Sequence, residues 1–128
     1  MRLLLDTHTF IWWDSEPSRL SQQALAAIEN PTNTLVLSVA SVWEMQIKSQ
    51  LGKLQFKLPL VEVIESQCQT NQIEILPIRL SHVLGINHLP TYHKDPFDRL
   101  LIAQSIVEEA TLVSGDPIIS QYSIQIIW

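Results

Sequence analysis

A chain of 128 residues with 46% hydrophobic and 16% charged side chains has the size of one domain and enough apolar content to bury a core, which excludes disorder. Eight Lys and Arg against thirteen Asp and Glu give a net charge of −5, so the chain is not built to hold nucleic acid through a broad basic face. No apolar run reaches the ~18 residues of a membrane span, Asp6 cuts the N-terminal Leu run too early for a secretory signal, and a lone Cys68 excludes a disulfide frame and suits a reducing cytoplasm.

In chain order, a Leu-rich strand is predicted at Arg2–Asp6, then helices over Thr7–Trp13 and Ser21–Glu29. A second strand, Thr34–Ser38, runs into a helix over Val39–Leu51 that Gly52 stops. A helix over Leu60–Thr70, a strand at Ile73–Pro77 and a short helix near Ser81–Ile86 follow. Asp95-Pro96 supplies a cap and a first-turn proline for a helix over Phe97–Ala110. Strands at Thr111–Ser114 and Ser123–Ile127 close the chain. Near-continuous Leu, Ile and Val in strands that alternate with helices predict an α/β fold, one domain over residues 1–128, with a mostly parallel sheet covered on both faces.

Such a sheet keeps its chemistry outside the carboxyl ends of its strands. Asp6 ends the first strand, Asp116 follows the fourth, and Glu44 and Asp98 lie early in helices that begin at the same edge. Crowded carboxylates repel unless a cation intervenes, and oxygen ligands without Cys favour Mg²⁺ or Mn²⁺ over zinc. Setting these four and Asp95 aside leaves eight acids against eight bases, so the excess charge falls in this neighbourhood. Each residue also has a plainer reading. Glu44 fits a capping box with Ser41, and Asp95 fits an N-cap that also pairs with Arg99. Asp116 before Pro117 suits a turn, and Asp98 suits its helix dipole. Asp6, straight after three leucines, carries a desolvation cost that a structural role explains least well. His8 and His93 are read as positioning or core residues, Cys68 as core, and the tryptophans mainly as packing, with one of Trp12 and Trp13 facing inward.

Leu4-Leu5-Asp6-Thr7-His8, Ser41-Val42-Trp43-Glu44, His93 to Gln104 and Leu112-Val113-Ser114-Gly115-Asp116 together resemble a PIN domain, and more narrowly the VapC-type toxins of type II toxin–antitoxin systems. The similarity runs along the whole chain, and Asp95 to Gln104 is its most specific block. The resemblance implies a Rossmann-like three-layer α/β/α sandwich and an endoribonuclease using Mg²⁺ or Mn²⁺. It implies Asp6, Glu44, Asp98 and Asp116 as catalytic and metal-holding residues, a cognate antitoxin and a toxin homodimer. Thr7 and Ser114 match positions where the family often has a hydroxyl that orients a carboxylate. Many relatives have a basic residue where this chain has Gly115, which leaves Arg99 or Lys94 to meet the phosphate.

Two rivals make different demands. A receiver domain wants an acid pair after the first strand, an aspartate ending the third and a late lysine. Here Ile75-Leu76-Pro77 ends the third strand and no lysine follows Lys94. A silent PIN-like interaction module would lack one of the acids, and none is missing. With three glycines and no phosphate-binding loop, an NTPase is excluded.

Overall fold

The computed structural model describes residues 1–128. Its strands are β1 (Arg2–Leu5), β2 (Thr34–Ser38), β3 (Glu74–Leu76), β4 (Thr111–Val113) and β5 (Ile126–Ile127). They form one all-parallel sheet in the order β3-β2-β1-β4-β5. The helices are α1 (Thr7–Ser15), α2 (Gln22–Glu29), α3 (Val39–Gln50), α4 (Leu60–Asn71), α5 (Leu80–Gly85) and α6 (Pro96–Val107), with 3-10 turns at Pro17–Arg19, Ile86–His88 and Ile119–Gln121. None is long and apolar enough to cross a membrane.

The leucines of β1 explain why it is central. Leu3, Leu4 and Leu5 are all fully buried, and side chains alternate across a strand, so both faces of the sheet need cover. Leu3 and Leu5 join Leu35, Leu37 and Val113 beneath Phe10, Ala24, Met45 and Val63 of α1–α4. Leu4 joins Val36, Leu76 and Leu112 against Leu101 and Ile102 of α6, with Ile119 and Tyr122. The result is a three-layer α/β/α sandwich.

Boundaries moved where caps and turns decide them. Asp6 leaves β1: its backbone N–H still donates to Val113 O at 3.1 Å, but its Oδ1 accepts the Thr9 N–H at 2.7 Å and caps α1. Ser38 caps α3, accepting from Ala40 N, so the helix begins two residues before Ser41 and the Ser41–Glu44 capping box does not form. Gly52, at φ +72°, ends α3 as expected. Asp95 caps α6, which stops at Val107 because Glu109 turns left-handed at φ 52°. The last strand shrinks to Ile126–Ile127.

The tryptophans also depart from expectation. Trp12 and Trp13 are both half-buried and both pack on the α1–α4 core. Trp12 is flanked by Trp128 at 6.1 Å and lies under the Arg19 guanidinium at 4.6 Å, while Trp13 meets Phe10 edge-on. His8 is exposed and tilts over Trp12, so it is not a core residue. Cys68 is half-buried against the same core.

Candidate active site

Parallel strands deliver their carboxyl ends to one edge, and four acids gather there. Asp6 follows β1, and Asp116 follows β4 across Ser114 and Gly115. Glu44 lies on the second turn of α3 and Asp98 on the first turn of α6. Asp6 and Glu44 are buried, Asp98 and Asp116 half-buried.

Hydroxyls and one ammonium fix the deeper pair. The Thr7 hydroxyl lies 2.7 Å from Glu44 Oε1 and 3.0 Å from Ser41 Oγ, and Lys48 Nζ holds Glu44 Oε2 at 2.8 Å. Burial raises the pKa of the Asp6 carboxyl, while Ser114 and Thr9 draw it back. Ser114 Oγ also accepts the Asp116 N–H at 3.1 Å, which couples these two acids. Thr7 and Ser114 thus touch carboxylates as the family resemblance implied.

The outer pair shares a histidine. His93 Nδ1 accepts the Asp95 N–H at 3.1 Å, which leaves the proton on Nε2. That nitrogen lies 2.8 Å from Asp116 Oδ2 and 3.2 Å from Asp98 Oδ2, between two carboxylates where a cation would also fit. Ligand atoms of His93, Asp98 and Asp116 all fall within 4.8 Å of one another. Burial, then the charge of Asp95, pushes the Asp98 carboxyl up to about 7; His93 opposes this, and Glu44 and Asp6 add to it. Asp116 goes the other way. Partial burial would raise its pKa, but the His93 ring and the Ile118 and Ile119 N–H groups hold it below the usual range.

A carboxylate cluster kept together at that electrostatic cost fits a divalent cation, and its mostly oxygen donors fit a hard one. Asp98, Asp116 and His93 form its tightest face, with Asp6 and Glu44 behind them. His93, read from the sequence as a positioning or core residue, stands between two of the acids. Lys48 is a site residue that the acid pattern alone does not mark, although Glu44 and Lys48 stand at the i, i+4 spacing that signals a helical ion pair.

The two candidate phosphate contacts stand in different settings. Arg99 does not pair with Asp95; its guanidinium holds the carbonyls of Pro90 at 3.0 Å and His93 at 3.3 Å, fixing the loop before α6. Lys94 is exposed and lines a cleft with Glu44 and Lys48, so the acid-rich neighbourhood carries cations of its own. Gly115 has a structural reason. A Cβ there would stand 2.5 Å from Cε2 of Trp128, whose indole occupies the space a side chain would need. Gly115→Ala should cost about 1–3 kcal/mol by overpacking. Repeating it in a Trp128→Ala background should remove most of that cost, and urea melts of the four proteins read the coupling.

A three-layer parallel α/β fold with an acid cluster at its carboxyl edge defines a class, and comparison places this chain in it. The sequence matches the PIN domain family over residues 3–125, and the chain belongs to that family. It is 30% identical to Ribonuclease VapC22 of Mycobacterium tuberculosis over 115 residues, covering 89% of this chain and 86% of that protein. Within the PIN family the chain is therefore of the VapC toxin type, a nuclease by class. Solved structures agree on the fold. VapBC2 from Rickettsia felis, solved bound to a DNA fragment from its promoter, superposes with a TM-score of 0.73 at 16% identity, covering 98% of this chain and 97% of that one. VapBC-1 from nontypeable Haemophilus influenzae gives 0.68 at 18% identity, covering 98% and 96%.

Proposed function

We propose that this protein is the toxin of a type II toxin–antitoxin system, acting in the cytoplasm as a Mg²⁺-dependent endoribonuclease, with Mn²⁺ as the alternative ion. The observation that carries this reading is the charge-frustrated cluster of Asp6, Glu44, Asp98 and Asp116 around His93. These four carboxylates are the proposed catalytic and metal-holding residues, Asp6 and Asp98 foremost, and His93 is their companion. A bound divalent ion would supply an activated water and would neutralise charge building on the phosphate.

The chain's own groups do the rest. Thr7 and Lys48 occupy both oxygens of Glu44 and hold it rigid. The Ile118 N–H occupies Asp116 Oδ1 at 2.8 Å, so Oδ2 faces His93 and the cleft. Asp116, held ionised, is suited to orient the attacking water. Attack on phosphorus with breakage of the bond to the 3′ oxygen leaves a 5′-phosphate, and the departing oxygen takes a proton to become a 3′-hydroxyl.

A nuclease in its own cytoplasm needs restraint, and the structural neighbours from Rickettsia felis and Haemophilus influenzae are VapBC assemblies. The proposed antitoxin carries an apolar tail with an Arg or Lys that reaches the acid cluster through charge-assisted bonds. Two apolar surfaces support protein contacts: a groove between α3 and α4 with Val42, Leu60, Val61 and Ile64, and the exposed Leu80, Val83, Leu84 and Ile106 of α5 and α6. The first suits the tail and the second a toxin homodimer. Expression of this chain alone should arrest growth, and co-expression with the product of the adjacent reading frame should restore it and yield a co-purified complex. Growth untouched by the chain alone would defeat the toxin assignment.

A further inference from the structure

We propose that the cleft between α3 and the start of α6 is a nucleotide subsite for single-stranded RNA flanking the cleaved bond, with Lys48 and Lys94 on its phosphate and Trp43 against its base. This rests on the nuclease reading above and adds to it how an acidic protein grips its polyanion.

An ammonium has three donors, and Glu44 takes only one from Lys48. The Lys48 side chain is 32% exposed, so its remaining N–H groups can reach a ligand without leaving the carboxylate. Lys94 is exposed across the same cleft, whose walls also include Ile47, Asp95, Pro96 and Phe97. Trp43 precedes Glu44 in sequence and is 57% exposed, unlike the other three tryptophans, which pack on the core. Phe97 meets Trp43 at 5.2 Å with the rings 74° apart, an edge contact that pins the indole while much of it stays open to solvent. Two ammonium groups and one fixed aromatic surface beside the carboxylate cluster reproduce the alternation of phosphate and base along a single strand. Bases of any identity stack on such a surface, so the subsite binds strand rather than sequence.

The test measures binding, not cutting. A fluorescein-labelled ten-nucleotide single-stranded RNA is titrated by anisotropy, in Mg²⁺ and over a range of salt, against Asp98→Asn protein carrying one further change. Trp43→Ala should weaken binding about tenfold or more, and Trp43→Phe should recover most of it. Lys94→Gln and Lys48→Gln should each flatten the salt dependence by about 0.7 in logarithmic slope, whereas Lys48→Arg should not. Thermal melts check folding, and if Lys48→Gln proves unstable, Lys94→Gln and the Trp43 pair decide. RNA binding by the Asp98→Asn protein that is unchanged by Trp43→Ala and Lys94→Gln would overturn the subsite alone. Failure of the wild-type protein in Mg²⁺ either to bind or to cut this RNA would overturn the nuclease reading with it.

Discussion

Asp98→Asn is expected to lower RNA cleavage by about 10³-fold or more, while the metal-free protein melts at a higher temperature than wild type at pH 8. The two effects have one origin. Asp98 is the acid most crowded by its neighbours, with burial and the charges of Asp95, Glu44 and Asp6 all opposing its ionisation. In the proposed chemistry that negative charge helps to hold the cation. Without a cation it is only a cost, and the amide removes it while keeping a polar group for His93. Initial cleavage rates in Mg²⁺ and melting curves in EDTA read the two halves separately. An Asn variant that cuts like wild type would remove Asp98 from the reaction. A lower melting temperature would mean that its contact with His93 outweighs the repulsion.

The pH dependence of metal-free stability should carry the same signature. Asp98 has a folded pKa of about 7 against an ordinary 3.8, so between those values the folded state binds more protons than the unfolded one. Stability therefore falls as pH rises through this window, and the loss is complete above pH 7. Asp6, also raised by burial, acts with the same sign. Glu108 and Asp116 are held below their ordinary values, Glu108 mainly by the His82 ring and Asp116 by His93 and backbone N–H groups against partial burial. Their contributions are present above the ordinary carboxylate range and disappear only in acid below it. Urea melts in EDTA should thus show wild type gaining on Asp98→Asn as pH drops from 8 to 5, with the difference levelling off near pH 4. A difference that stays constant from pH 8 to pH 5 would contradict a raised Asp98.

Much of this was legible because parallel sheets have simple rules. Three leucines before Asp6 describe a strand buried on both faces, and Asp95-Pro96 describes a helix start. The acids then fall at one edge without any knowledge of tertiary contacts. Partnerships across long sequence separations were not legible. Local spacing offers Glu44 a cap partner in Ser41, three residues away, but its hydroxyl partner is Thr7, 37 residues away on the neighbouring helix. The close fit of Gly115 under Trp128 depends on β5 pairing beside β4, with Val113 opposite Ile127, which no local pattern encodes. The place of His93 between Asp98 and Asp116 depends on the loop that Arg99 holds through the Pro90 and His93 carbonyls, and no sequence spacing shows that. The left-handed turn at Glu109, taken without glycine, cut short a helix that periodicity carried on to Ala110.

The central claim is that the acid cluster is a metal-dependent site for RNA hydrolysis. Its most direct test is to incubate the purified chain with total RNA in Mg²⁺, in Mn²⁺ and in EDTA, and to map the cut ends. The account predicts cleavage with either ion and none in EDTA, with fragments bearing 5′-phosphates and 3′-hydroxyls. Undiminished cleavage in EDTA, or fragments ending in 2′,3′-cyclic phosphates, would contradict it.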